Sequence, residues 1–221
     1  MSIYIIFFYF FSLIVSEPIY NGIDISVWQG PNINFKKVKE EGINFVILRA
    51  GIGDLIDKYF ESNYKRAKEA GLNVGVYWHA QALTLKESEK EAEYILAATA
   101  NKQLEYPVYY YIDQIELIAK GKKFCSDIAK KLGIIMEQKD KFFGIYTSKI
   151  NYDLYFIDDL KMAFSFLVSQ YDAEQCDNND VIKIYKKSFL RNFNGVKEKA
   201  YQIISCFDFP SEIKNRHKNG F

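Results

Sequence analysis

Between Gly22 and Asp113 the chain repeats one phrase four times: a short β-rich apolar run, a turn, then a charged stretch with helical spacing. Alternation of this kind is the mark of βα units whose strands run parallel. Strands are predicted at Ile23–Ser26, Phe45–Ala50, Asn73–Trp78, Val108–Asp113, Phe142–Thr147, Phe164–Ser169, Val181–Tyr185 and Tyr201–Phe207. Helices are predicted at Phe35–Glu41, Lys58–Ala70, Leu85–Asn101, Cys125–Met136 and Tyr152–Leu160. Tyr64, Ala67 and Lys68 carry the three-to-four spacing, Gly71 closes that helix, and Glu87, Lys90 and Glu91 mark a solvated face on the next. Eight strand runs invite a closed barrel. Past Ser169 the pattern changes, because Lys186–Gly195 reads as loop and no long helix intervenes. The expected α/β barrel is therefore regular in its first five units and irregular at its end, in a single domain.

The longest apolar stretch, residues 3–15, is followed by Ser16-Glu17-Pro18. It is too short to span a bilayer comfortably, and a small residue before a polar, Pro-containing segment suits signal-peptide cleavage. Residues 1–16 are thus expected to be a secretory signal and 17–221 the working domain, with no stable membrane association after cleavage. No Lys or Arg precedes the run, which leaves an uncleaved anchor or a buried N-terminal strand as alternatives. A net charge of +1 without a basic stripe argues against nucleic acid as a partner. Cys125, Cys176 and Cys206 allow at most one internal bridge and do not say which pair makes it. His79 and His217 are far apart in sequence and no cysteine spacing suits zinc, so no zinc site is expected. The chain is expected to act as a monomer.

Three carboxylates fall at or near strand ends: Asp24, Asp113 and Asp208. A closed barrel of parallel strands gathers such ends at one rim, where the chemistry of these barrels sits, and His79, Gln170 and Tyr171 would join them. The plainer explanation is that strands finish in polar residues because loops are polar. Tyr and Phe make up most of the 17% aromatic content; most belong to the core, and a few are available to line a groove. Convergent carboxylates between aromatic walls are what acid-catalysed glycoside hydrolysis requires: a protonated acid for the leaving oxygen, and negative charge to support a cationic sugar.

The blocks Gly22-Ile-Asp-Ile-Ser-Val-Trp-Gln-Gly30, Phe35 through Gly51 with its Arg49-Ala-Gly ending, and Ala70-Gly-Leu-Asn-Val-Gly-Val-Tyr77 resemble glycoside hydrolase family 25, the Chalaropsis-type lysozymes or N-acetylmuramidases. The resemblance is dense from about Asn21 to Asp113 and thin beyond. It implies an irregular TIM-like (βα)5β3 barrel and cleavage of the β-1,4 bond between N-acetylmuramic acid and N-acetylglucosamine in bacterial peptidoglycan. It implies no cofactor, and action as a secreted protein or in the lumen of a lysosomal or phagosomal compartment.

The family's fourth strand carries Asp-x-Glu after a Pro-Val-aromatic run, the Glu as general acid and the Asp assisting the substrate acetamido group. Here Pro107-Val108-Tyr109-Tyr110 fits, but the motif arrives as Tyr111-Ile112-Asp113. Asp113 is one methylene shorter than Glu. Tyr111 is neutral at pH 7 and cannot supply the missing charge. Glu116 is a substitute only if the strand ends later; otherwise it is a solvated loop carboxylate. The resemblance makes Asp113 and Asp24 the catalytic candidates and Tyr77, Tyr111, Gln170, Tyr171 and Asp208 the substrate-binding ones. Arg49 would pair with a carboxylate at the rim or elsewhere, and His79 either meets substrate or is structural. Two readings follow: a muramidase working through Asp113, or a catalytically impaired member that binds peptidoglycan or a related glycan.

Overall fold

A computed structural model describes residues 19–170 and 182–221. The expected signal segment, Tyr171 and Cys176 lie outside the described residues. The strands are β1 (Tyr20–Ile25), β2 (Phe45–Ile52), β3 (Leu55–Ile56), β4 (Asn73–His79), β5 (Val108–Tyr111), β6 (Phe143–Ser148), β7 (Ser165–Gln170), β8 (Ile184–Arg191) and β9 (Ala200–Ser205). The helices are α1 (Phe35–Glu40), α2 (Phe60–Glu69), α3 (Leu85–Ala98), α4 (Ile115–Ile118), α5 (Gly121–Glu137), α6 (Lys149–Tyr155), α7 (Asp158–Ala163) and α8 (Phe209–Asn215). Strand order is β1-β9-β8-β7-β6-β5-β4-β2-β3, and a further β1–β2 pairing closes eight of the strands into a barrel. Five βα units followed by three strands match the expected (βα)5β3 architecture. The two-residue β3 folds back on β2 as a hairpin outside the ring.

Inward and outward positions alternate along each barrel strand, as the pleat requires. Outward residues such as Val46, Leu48, Val74, Val76, Val108 and Tyr110 join the layer beneath the helices. Inward residues Phe45, Ile47, Tyr77, Tyr109, Tyr146, Leu167, Ile184 and Ile203 fill the lumen. Rings of this size fit because glycines face them. A Cβ on Gly22 would stand 2.4 Å from the Phe45 ring, and one on Gly144 would stand 2.6 Å from that of Tyr109.

The helices begin and end where side chains satisfy their exposed backbone groups. Thr84 caps α3 by accepting from the Glu87 amide, while the Glu87 carboxylate accepts from the Leu83 amide. Gly71, at φ +72°, follows α2 in the left-handed region that favours glycine. Three expectations are corrected. Tyr152–Leu160 is two helices, α6 and α7, broken at Phe156 and Ile157. Glu91 is buried rather than solvated, because α3 turns it towards Tyr110, whose hydroxyl donates to it at 2.5 Å. The β8 strand runs on to Arg191 where loop was expected.

Strand direction decides what reaches the rim. The strands β1, β2, β4, β5, β6, β7 and β8 run parallel, whereas β9 is antiparallel to both neighbours, pairing Ser205 with Tyr20 and Tyr201 with Asp24. The start of β9 therefore lies at the end of the barrel where the other strands finish.

Candidate functional site

The carboxyl ends of the parallel strands surround an open cleft of about 1030 Å³ lined by Asp24, Ser26, Trp28, Arg49, Tyr77, His79, Tyr111, Tyr146, Lys186 and Tyr201, among others. Its walls are aromatic. The Tyr77 ring meets Tyr111 and Tyr146 edge-on at 5.9 and 5.5 Å, and Tyr111 lies 4.2 Å from Tyr146. Trp28 is 77% exposed at the margin. It is presented by a short 3-10 turn at Val27–Gln29, which Ser26 and Gln29 cap reciprocally.

Asp24 forms the floor. The Tyr146 hydroxyl donates to its Oδ2 at 3.0 Å, and the Lys186 ammonium stands 3.8 Å from the same oxygen. Burial pushes the carboxyl up from its ordinary range, against the opposing pull of Lys186, Tyr146, Arg49 and Tyr77. Arg49 is already committed, donating from Nε to Asp57 at 2.9 Å. His79 sits 4.9 Å from the Tyr111 ring. Burial and the Arg49 charge lower its pKa, and Asp113 pulls the other way. The imidazole is therefore mainly neutral at pH 7.

Asp113 stands just past the end of β5, beside the cleft rather than among its lining residues. Its Oδ2 accepts from the Tyr111 hydroxyl at 2.9 Å and its Oδ1 from Asn151 Nδ2 at 2.6 Å. It opens onto a second, smaller depression with Ile115, Ile118 and Ile150. Glu116 is exposed in the first turn of α4 and lines neither depression.

Of the expected site residues, Asp24, Tyr77 and Tyr111 meet in the cleft with Asp113 at its edge. Asp208 does not join them: it follows the end of antiparallel β9 and so lies at the opposite end of the barrel. There it caps α8, accepting from the Ser211 amide and hydroxyl. Gln170 has the outward parity of Val168, not that of lumen-facing Leu167, and does not line the cleft. Sequence reasoning missed Tyr146, Tyr201 and Lys186. Inward alternation with Gly144 marks Tyr146, and alternation with Ile184 marks Lys186.

Against this geometry, the profile of glycosyl hydrolases family 25 matches residues 23–188. The chain belongs to glycosyl hydrolase family 25. Among solved structures, the family 25 chain is similar to the modular autolysin LytC of Streptococcus pneumoniae, with 22% identity and a TM-score of 0.75 over 84% of this chain and 46% of that one. It thus spans less than half of LytC. It is also similar to a family 25 glycosyl hydrolase from Bacillus anthracis, with 18% identity and a TM-score of 0.70 over 89% and 92% of the two chains. A bacterial lysozyme from Streptomyces coelicolor gives 19% identity and a TM-score of 0.65 over 83% and 90%. These likenesses establish the fold. No curated protein sequence matches. The matched residues 23–188 include Asp24, Tyr77, Tyr111 and Lys186 of the cleft, together with Asp113 at its edge.

Proposed function

We propose that the chain is a peptidoglycan-directed glycoside hydrolase of the N-acetylmuramidase type, cleaving the β-1,4 bond between N-acetylmuramic acid and N-acetylglucosamine. The observation that carries this reading is a buried carboxylate, Asp24, on the floor of an aromatic-walled cleft whose edge holds Asp113. Asp113 gives a proton to the glycosidic oxygen as the anomeric C–O bond breaks. Asp24 faces the positive charge that develops on the sugar, and water completes the hydrolysis. The tyrosine walls and exposed Trp28 offer flat apolar faces to sugar rings. LytC has been crystallised with a synthetic peptidoglycan ligand, which supports a glycan as the occupant here.

Action outside the cytosol is part of the proposal. It rests on the apolar leader and on the disulfide-bonded state of Cys206, since disulfides persist in oxidising compartments. Cys125 is a free, buried thiol.

Two observations favour a second reading, glycan binding without turnover. Lys186 brings positive charge to the place where a cationic sugar needs negative charge, and Asn151 and Tyr111 occupy both oxygens of Asp113. Peptidoglycan turnover by the purified chain from Glu17 onward, with Asp113→Asn and Asp24→Asn alongside and mass spectrometry of the fragments, separates the two. Reducing N-acetylmuramic acid ends that vanish in both variants support the hydrolase. Retention of peptidoglycan without products overturns it in favour of binding alone.

A further inference from the structure

Lys186 is the unusual member of this cleft. Barrel parity puts its side chain in the lumen, one inward position beyond Ile184 and level with Ser169 of β7 and Ile203 of β9. The residue is only 8% exposed and still lines the cleft. Its ammonium lies over the rings of Tyr201, Tyr146 and Tyr111 at 4.3, 4.8 and 5.9 Å. Its ion-pair contact, with Asp24 Oδ2 at 3.8 Å, is beyond hydrogen-bonding reach. That oxygen already accepts from Tyr146.

Among the described residues, the ammonium therefore has three N–H donors and no acceptor at hydrogen-bond distance. The charged groups around it do not change this. Arg49 from β2 is held by Asp57, Asp113 accepts from Tyr111 and Asn151, and Glu198 and Lys199 before β9 line the cleft margin without an ion pair to Lys186. A buried cation whose donors no described residue fills, facing an open cleft, calls for an anionic acceptor from the ligand.

Resting on the reading of the cleft as a glycan site, we infer that Lys186 is a specificity-determining residue that selects sugars bearing a free carboxylate, received by its ammonium above the tyrosine rings. In peptidoglycan that group is the lactyl carboxyl of N-acetylmuramic acid, which a stem peptide converts to an amide. The preferred ligand is accordingly glycan stripped of its peptides, and the reaction class that supplies it is hydrolysis of the lactyl amide.

The test is calorimetric binding of the mature chain to N-acetylglucosaminyl-β-1,4-N-acetylmuramic acid, which lacks the scissile muramyl bond. Its carboxyl-amidated form, diacetylchitobiose and a glucuronic-acid disaccharide are measured beside it. The free acid is expected to bind about tenfold or more tighter than the amide and the chitobiose, the scale of a charge-assisted hydrogen bond. Lys186→Met should bring all three to equal affinity, whereas Lys186→Arg should keep the preference. Equal binding of acid and amide by the wild type overturns the role of Lys186 and leaves the glycan site standing. This comparison needs no variant. Tighter binding of the glucuronic-acid disaccharide than of the muramic acid one keeps the carboxylate rule and overturns peptidoglycan as the source. Failure to bind any of the four overturns both readings.

Discussion

Tyr111 donates its phenolic proton to Asp113 across 2.9 Å, so a wall residue of the cleft restrains the carboxylate at its edge. Asn151 holds the remaining Asp113 oxygen at 2.6 Å. The two bonds keep Asp113 at the edge of the cleft, and on the β5 side Lys186 meets the Tyr111 ring at 5.9 Å.

Restoring the pair should therefore do more than restoring either residue. Tyr111→Asp places a carboxylate on the wall that Lys186 faces and releases Asp113 from the phenol, while Asp113→Glu lengthens the acid by one methylene. The double variant should release reducing ends from peptidoglycan at least tenfold faster than the wild type, and each single variant less. Displacements near an ångström carry effects of this size. No gain in a correctly folded double variant would mean that Lys186 by itself blocks the cationic transition state.

The lumen packing makes a separate prediction. Gly22→Ala drives a methyl group to within 2.4 Å of the Phe45 ring, which itself stacks on Tyr106 at 4.0 Å. Overpacking at a site with so little room to yield costs about 1–3 kcal/mol. Calorimetry should show a lower Tm, and an unchanged Tm would mean that Phe45 can turn aside.

How much of this was legible in the sequence depended on the signal each residue gives. The β1 and β2 runs alternate cleanly, and the block around Asp24 placed that residue correctly. Asp208 was misplaced because a strand's sequence carries no arrow. With the expected strand ending at Tyr185 the connection was long enough for a parallel crossover; only the run of β8 on to Arg191 leaves residues 192–199, too few for one, so that β9 returns antiparallel. Lys186 was lost because Lys186-Lys187 interrupts a β-favouring run, and β propensity yields readily to context. Glu91 resembled its solvated neighbours Glu87 and Lys90, and only its tertiary contacts with the Tyr110 hydroxyl and the Gln81 amide remove it from water.

The burial of Glu91 gives the fold a pH dependence. Its carboxyl accepts from the Tyr110 hydroxyl and the Gln81 amide, yet burial pushes its pKa up from 4.5 to about 7. The folded chain therefore holds a proton that the unfolded chain has lost, and stability falls as pH rises between those values. The penalty is absent below about pH 4.5 and complete above about pH 7, on the order of 3 kcal/mol. In Glu91→Gln the contribution disappears, so Tm measured from pH 4.5 to 8 should decline less than in the wild type. Parallel curves would show that Glu91 ionises in the fold as it does in the unfolded chain.

His79 reports on the charge balance at the mouth of the cleft. Burial disfavours its charged form, Arg49 opposes the charge, and Asp113 supports it, so the imidazole should titrate below 6.5. Asp113→Asn removes the supporting charge and should lower the midpoint further, since a neutral amide leaves the Arg49 field unopposed. Only two histidines are present, and His217 is exposed, so two imidazole signals followed by NMR from pH 4 to 8 suffice to read the shift. A His79 midpoint that stays put in the variant would mean that Asp113 is too far from the imidazole, or too well screened, to act on it. The acid would then be electrostatically separate from the cleft that Tyr111 and Lys186 share.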